Sequence, residues 1–125
     1  DFTLCFRRLA DLAHPEGVRE GGVGELFEMP DALLPWLARW RARLADDSLA
    51  APQRQAMMYQ ANPAFIPRNH LVEEAIRAAV DEGDFEPFHT LVEVLAEPLT
   101  YRPDLARYAL PPRPEQAVRQ TFCGT

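Results

Sequence analysis

Apolar residues recur along this chain mostly at three- and four-residue steps, the period of a helix that buries one face. Phe2, Cys5, Phe6, Leu9 and Leu12 form the first such stripe and predict an amphipathic helix over 2–13, with Arg7 and Arg8 on another part of its surface. Between His14 and Gly24 the period is lost. Pro15 and the glycines at 17, 21, 22 and 24 predict a surface loop or mobile connection there. A second helix is expected from near Asp31, which can cap its free N–H groups. Leu33, Leu34, Leu37, Trp40 and Leu44 supply its buried stripe, and Arg39, Arg41 and Arg43 turn to solvent. Pro35 fits this helix only within or close to the first turn.

A third helix is predicted over 52–61, with Pro52 at its first position and Asn62-Pro63 ending it. Met57, Met58 and Tyr59 face neighbours. Adjacent helical residues point about 100° apart, so the paired methionines read as core filling rather than as one binding groove. The most regular pattern runs from Arg68 to Glu82, with Leu71, Val72, Ala75, Ile76, Ala79 and Val80 as its stripe and Gly83 placed for a left-handed cap. Another helix follows over 85–96, striped by Phe88, Leu91, Val92 and Leu95, and so short a connection implies an antiparallel pair. Beyond Glu97, prolines at 98, 103, 111, 112 and 114 exclude a continuous helix. One helical turn is expected over 105–108, and 117–125 read as a mobile tail. The expected fold is all-α, an irregular bundle of about four to five helices over 1–110 with an extended proline-rich C-terminal tail over 111–125.

Composition adds to this picture. The 125 residues, 47% of them hydrophobic, fit one domain with a modest core. No apolar run approaches the roughly 20 residues of a membrane span, and no signal-peptide layout opens the chain, so a cytoplasmic location without a membrane partner is expected. A start at Asp1 rather than methionine, directly in a helical pattern, reads as a piece of a larger protein. The net charge of −6 argues against nucleic acid as a partner. All 13 basic residues are arginine, which excludes a P-loop lysine, a kinase strand lysine and a Schiff base within this chain. Two cysteines, Cys5 and Cys123, are too few for a disulfide scaffold and favour a reducing compartment.

The residues able to carry chemistry do not assemble into a site along the sequence. His14, His70 and His89 are too dispersed for a local metal motif. Glu73 and Glu74 diverge around their helix, so with Arg77 they read as surface ion pairing rather than an acid/base dyad. Asp84-Phe85-Glu86 shares two letters with the metal-binding Asp-Phe-Gly of kinases but lacks the glycine and the strand context. Ser48, the sole serine, has no neighbouring base. No catalytic, metal or nucleotide-binding residue is therefore expected here. Cys123 is the one redox candidate: a thiol third from the end is accessible, and Arg119 favours its thiolate slightly. A terminal cysteine with no role stays open as the alternative.

Two segments carry a family resemblance. Asp1-Phe2-Thr3-Leu4-Cys5-Phe6-Arg7-Arg8-Leu9 is similar to a segment of the SelO (selenoprotein O) family running Asp-aromatic-Thr, then Phe-Arg and Leu. Asn62-Pro63-Ala64-Phe65-Ile66-Pro67-Arg68-Asn69 resembles the family's Asn-Pro-aromatic-X-X-Arg-Asn element, which also precedes a helix rich in Glu and Ala. Pro98, Tyr101, Tyr108 and Pro111-Pro112 fall where the family carries proline and tyrosine, and Cys123 matches its terminal cysteine or selenocysteine. Ile66-Pro67 departs from the aliphatic residues more usual there. The resemblance covers nearly the whole chain and identifies it with the C-terminal region of a SelO-like protein adenylyltransferase.

That resemblance implies an intact protein with a kinase-like domain that binds ATP in a flipped orientation with Mg or Mn and transfers AMP to hydroxyls of protein substrates. Its nucleotide-binding lysine, metal-binding Asp and Asn and catalytic base belong upstream of Asp1, so this chain itself binds no cofactor. It also implies a regulatory role for Cys123, paired with a cysteine of the catalytic domain or with Cys5. Arg68 and Asn69 either contact that domain or cap the helix they precede, with capping preferred. The competing readings are an independent helical module that binds a protein partner and a part of a kinase-like phosphotransferase. An accessory region should show an apolar patch made to be covered, whereas an independent module should be polar over its surface.

Overall fold

The carboxylate of Asp1 accepts a hydrogen bond from the Leu4 amide at 3.0 Å and so caps the first helix, α1, Phe2–Leu12. The computed structural model describes residues 1–14, 20–28 and 30–118, and these hold helices and turns without a strand. The fold is all-α. The chain divides into a first compact unit over Asp1–Ala64 and a second that begins at Phe65. None of the described helices is long and apolar enough to cross a membrane.

In the first unit α1 packs against α2 (Glu20–Gly24) and α4 (Ala51–Ala61), and α2 packs against α3 (Pro30–Ala45). Leu9, Leu12, Val23 and Leu37 form the buried core, with Cys5, Leu33, Trp40 and Met58 against it. The seam between α1 and α4 is largely polar. The Arg7 guanidinium donates to the carbonyls of Tyr59 at 3.1 Å and Asn62 at 2.9 Å and lies over the Tyr59 ring. The Tyr59 hydroxyl donates to Asp11, and Gln55 Nε2 donates to the Ala10 carbonyl at 3.1 Å. Beyond α3, buried Arg54 donates to Asp47 at 3.1 Å and to the Leu49 carbonyl at 2.8 Å, which fixes the turn into α4.

Two features of this unit differ from the sequence expectation. Residues 20–24, read as loop for their glycines, are helical because Val23 enters the core, where it is 1% exposed. Tertiary burial outweighs a poor helix propensity here. Helix α3 begins at Pro30, so Pro35 lies beyond its first turn. Both Pro35 and Asp31, whose carbonyl loses its helical donor, are exposed, and solvent can replace the missing bond.

The second unit is organised on Phe65, 1% exposed, whose amide donates to the Pro98 carbonyl at 3.1 Å and whose ring stacks on Tyr101. Helix α5 (Asn69–Arg77) passes into a π-helical turn over Ala78–Glu82 and ends at Gly83, in the expected left-handed conformation with φ 68°. The regular helix predicted over 68–82 thus widens in its last turn. Helix α6 (Glu86–Ala96) returns along α5, and Leu71, Ala75, Leu91 and Val94 are buried. A 3₁₀ turn at Pro103–Leu105 leads into α7 (Ala106–Ala109), which Arg107 ties to α5 through both oxygens of Glu74 at 2.7 Å. Another 3₁₀ turn follows at Pro114–Gln116. His70, near the start of α5, has its pKa lowered below the ordinary 6.5, first by burial and then by the positive charge of Arg68, against the pull of Glu74.

Three stability outcomes follow from these contacts. Phe65→Ala should cost about 3–5 kcal/mol in urea unfolding, because it leaves a cavity and frees the 97–101 turn. Gly83→Ala should cost about 1 kcal/mol by the same assay, a purely backbone effect, since a Cβ at this position meets nothing within 4 Å. His70 is held neutral in the fold while the unfolded chain takes up a proton below its ordinary pKa. Stability should therefore fall as the pH drops below 6.5, and His70→Gln should flatten that limb of the urea midpoint against pH.

Candidate functional site

The structure keeps most chemistry-bearing residues apart or commits them to the fold. Cys123 lies outside the described residues. Cys5 is a free thiol, half-buried against the first core. His14 belongs to the first unit, and His70 and His89 to the second. Among the described residues no three His, Cys, Asp or Glu side chains are grouped as a metal site. Ser48 sits exposed in the turn after α3.

A polar cleft of about 690 Å³ in the second unit is lined by His70, Glu73, Glu74, Arg77, Glu82 and Asp84, among others. Its carboxylates are largely engaged. Glu73 pairs with Arg77 at 3.1 Å, one turn away on the helix, and Glu74 is taken by Arg107 rather than by Arg77. Asp84 accepts the Glu86 amide at 2.9 Å and so closes the turn into α6. The Asp-Phe-Glu triplet is thereby a helix-start turn. Arg107, hydrogen-bonded to Glu74, has its pKa raised, while burial lowers that of Arg68.

The capping role preferred for Arg68 and Asn69 is not what the structure shows. Arg68 occupies the N-cap position by backbone, but its side chain makes no cap bond and is itself buried, at 7% exposed. A guanidinium has only donors, whereas the free groups at a helix start are also donors. Asn69 is already inside the helix.

What stands out is apolar surface. In the first unit Phe2, Phe6, Leu26, Phe27, Leu33 and Trp36 line a groove of about 470 Å³, with Phe2 82% exposed. In the second a groove of about 410 Å³ lies between α5 and α6, lined among others by Val72, Ile76, Phe85, Phe88 and Val92. Its lining carries no polar residue. Ile76, Val80, Phe88 and Val92, all assigned by their period to a buried stripe, are more than half exposed. The signal that marks them was in the sequence: α5 and α6 each carry an apolar stripe wider than a single neighbouring helix can cover.

No family model matches the chain. It is 52% identical over 125 residues to the protein nucleotidyltransferase YdiU of Rhizobium etli (strain CFN 42). Identity is also 52% to the proteins of that name from Rhodopseudomonas palustris (strain CGA009), over 126 residues, and from Bradyrhizobium sp. (strain BTAi1), over 125. All of this chain is covered in each comparison, but the chain spans only 25% of the length of these relatives. Over its whole length, then, the chain is similar to one quarter of proteins named protein nucleotidyltransferase YdiU.

Proposed function

We propose that this chain is the helical, non-catalytic C-terminal part of a SelO-like protein adenylyltransferase, and that it serves by packing on the rest of that protein. The reaction, transfer of AMP from ATP to hydroxyls of protein substrates, belongs to a kinase-like domain upstream. Its ATP and divalent metal are placed upstream with it. Lysine is absent from the sequence, and the described carboxylates form no cluster able to hold a cation.

The observation that carries the reading is the exposed apolar surface of both units. Helical stripes that ought to be buried lie open, from Phe2 and Phe6 in α1 to Phe88 and Val92 in α6. Such surface costs solubility and is retained where something covers it. An independent module would show a polar surface, so the openness of these faces favours an accessory region. Cys123 extends the proposal as a redox position: a tail thiol and a second thiol of the same polypeptide join as a disulfide when an oxidant removes two electrons, and a reductant restores both.

Intact-mass analysis tests this directly. The full-length protein, a version lacking these 125 residues and the chain alone are incubated with ATP, a divalent metal and candidate protein substrates, with and without reductant. The full-length protein should add the mass of one AMP to its substrate and the chain alone none, with Cys123→Ser removing any dependence on reductant. Addition of a phosphate mass would replace adenylyl transfer by phosphotransfer. AMP transfer by the chain alone would overturn the non-catalytic reading.

A further inference from the structure

The groove between α5 and α6 is built from residues 67–95, a stretch described without a gap. Two features define what fits it. Its lining is wholly apolar, so it offers no hydrogen bond or charge to orient a nucleotide, a sugar or a polar peptide. It is also open: Ile76, Phe85, Phe88 and Val92 are 52%, 56%, 51% and 53% exposed, whereas a pocket for a small apolar molecule encloses its occupant.

The spacing of these side chains is that of helix packing. Val72 and Ile76 form a ridge at a four-residue step on α5, and Phe88 and Val92 do the same on α6. Ridges of this kind seat another helix, whose own side chains enter the furrow between them. Val94, buried and outside the groove lining, belongs to the unit's own interior, whereas Phe88 and Val92 remain open for an outside partner.

We infer that this groove seats an apolar-faced helix from the part of the same polypeptide that lies outside these 125 residues. The inference rests on the functional reading above and names the surface through which the chain docks. The choice of occupant rests on length and on concentration. The relatives are about four times as long as the chain, so most of such a protein is available to supply the helix. A tethered segment meets the groove at an effective concentration on the order of millimolar, well above that of a second copy in dilute solution.

Hydroxyl-radical footprinting of the intact full-length protein tests the inference at a concentration where light scattering shows monomer. Oxidation of Ile76, Phe88 and Val92 should be severalfold slower than in the same protein unfolded in urea. Val92→Glu, which places a charge on the ridge, should restore the oxidation of Ile76 and Phe88 while Leu71 and Val94, buried outside the groove, stay protected. Oxidation of the wild-type ridge at the unfolded rate would overturn the inference. So would protection that appears only when the protein dimerises, or that disappears when residues 119–125 are removed, since the occupant would then be a second copy or the chain's own end. AMP transfer measured on the same samples separates the two proposals. An open ridge with transfer intact overturns the docking and leaves the functional reading, whereas a protected ridge without transfer overturns the functional reading alone.

Discussion

Surface-to-volume limits govern this chain. Each of its two units has only about sixty residues with which to make an interior, and a unit of that size buries a smaller share of its apolar surface than a larger domain does. The buried set is correspondingly small: Leu9, Leu12, Val23 and Leu37 in the first core, and Phe65, Leu71, Leu91 and Val94 as the larger buried side chains of the second unit. Many of the apolar residues beyond these stay open, and two groups of them line grooves: Phe2, Phe6, Phe27 and Trp36 in the first unit, and Ile76, Phe85, Phe88 and Val92 in the second.

With so little interior, polar contacts carry a good part of the organisation, and arginine supplies them. Arg7 bridges two carbonyls at the end of α4, Arg8 donates to the Gly22 carbonyl, and Arg54 joins a carboxylate to a carbonyl across the α3–α4 turn. The planar fork of a guanidinium reaches two acceptors at once, which an ammonium on a flexible stem does less well. A chain without lysine therefore loses nothing structurally at these joints. Burial lowers the pKa of Arg7, yet a guanidinium starts so far above neutrality that it stays charged at neutral pH. Its partner Tyr59 is pushed up to about 12, mainly by burial and then by its bond to Asp11, and remains a neutral donor.

Much of the helical layout was legible because local signals agreed with the fold. Asn62-Pro63 ends α4, Pro52 falls in the first turn of α4, and Gly83 takes the left-handed conformation that only glycine adopts freely. The failures share a cause. Val23 hides in a glycine-rich stretch, so its burial comes from packing that no local pattern announces. The π turn after Arg77 depends on how the Gly83 and Asp84 amides both reach the Ala78 carbonyl, which no residue preference encodes. Periodicity reports that a face is apolar without saying what covers it. The stripes over 68–82 and 85–96 were for that reason read as core, although Ile76, Val80, Phe88 and Val92 meet solvent. Cys123, read from the sequence as a redox candidate, lies outside the described residues.

The Phe65 to Pro98 hydrogen bond joins the two ends of the segment that holds α5 and α6. Topologically the helical hairpin is a closed loop with a clasp. Its two ends are tied to each other before the chain goes on, so the hairpin has the topology of a cassette, with the Arg107 to Glu74 pair as a second tie from the chain that follows.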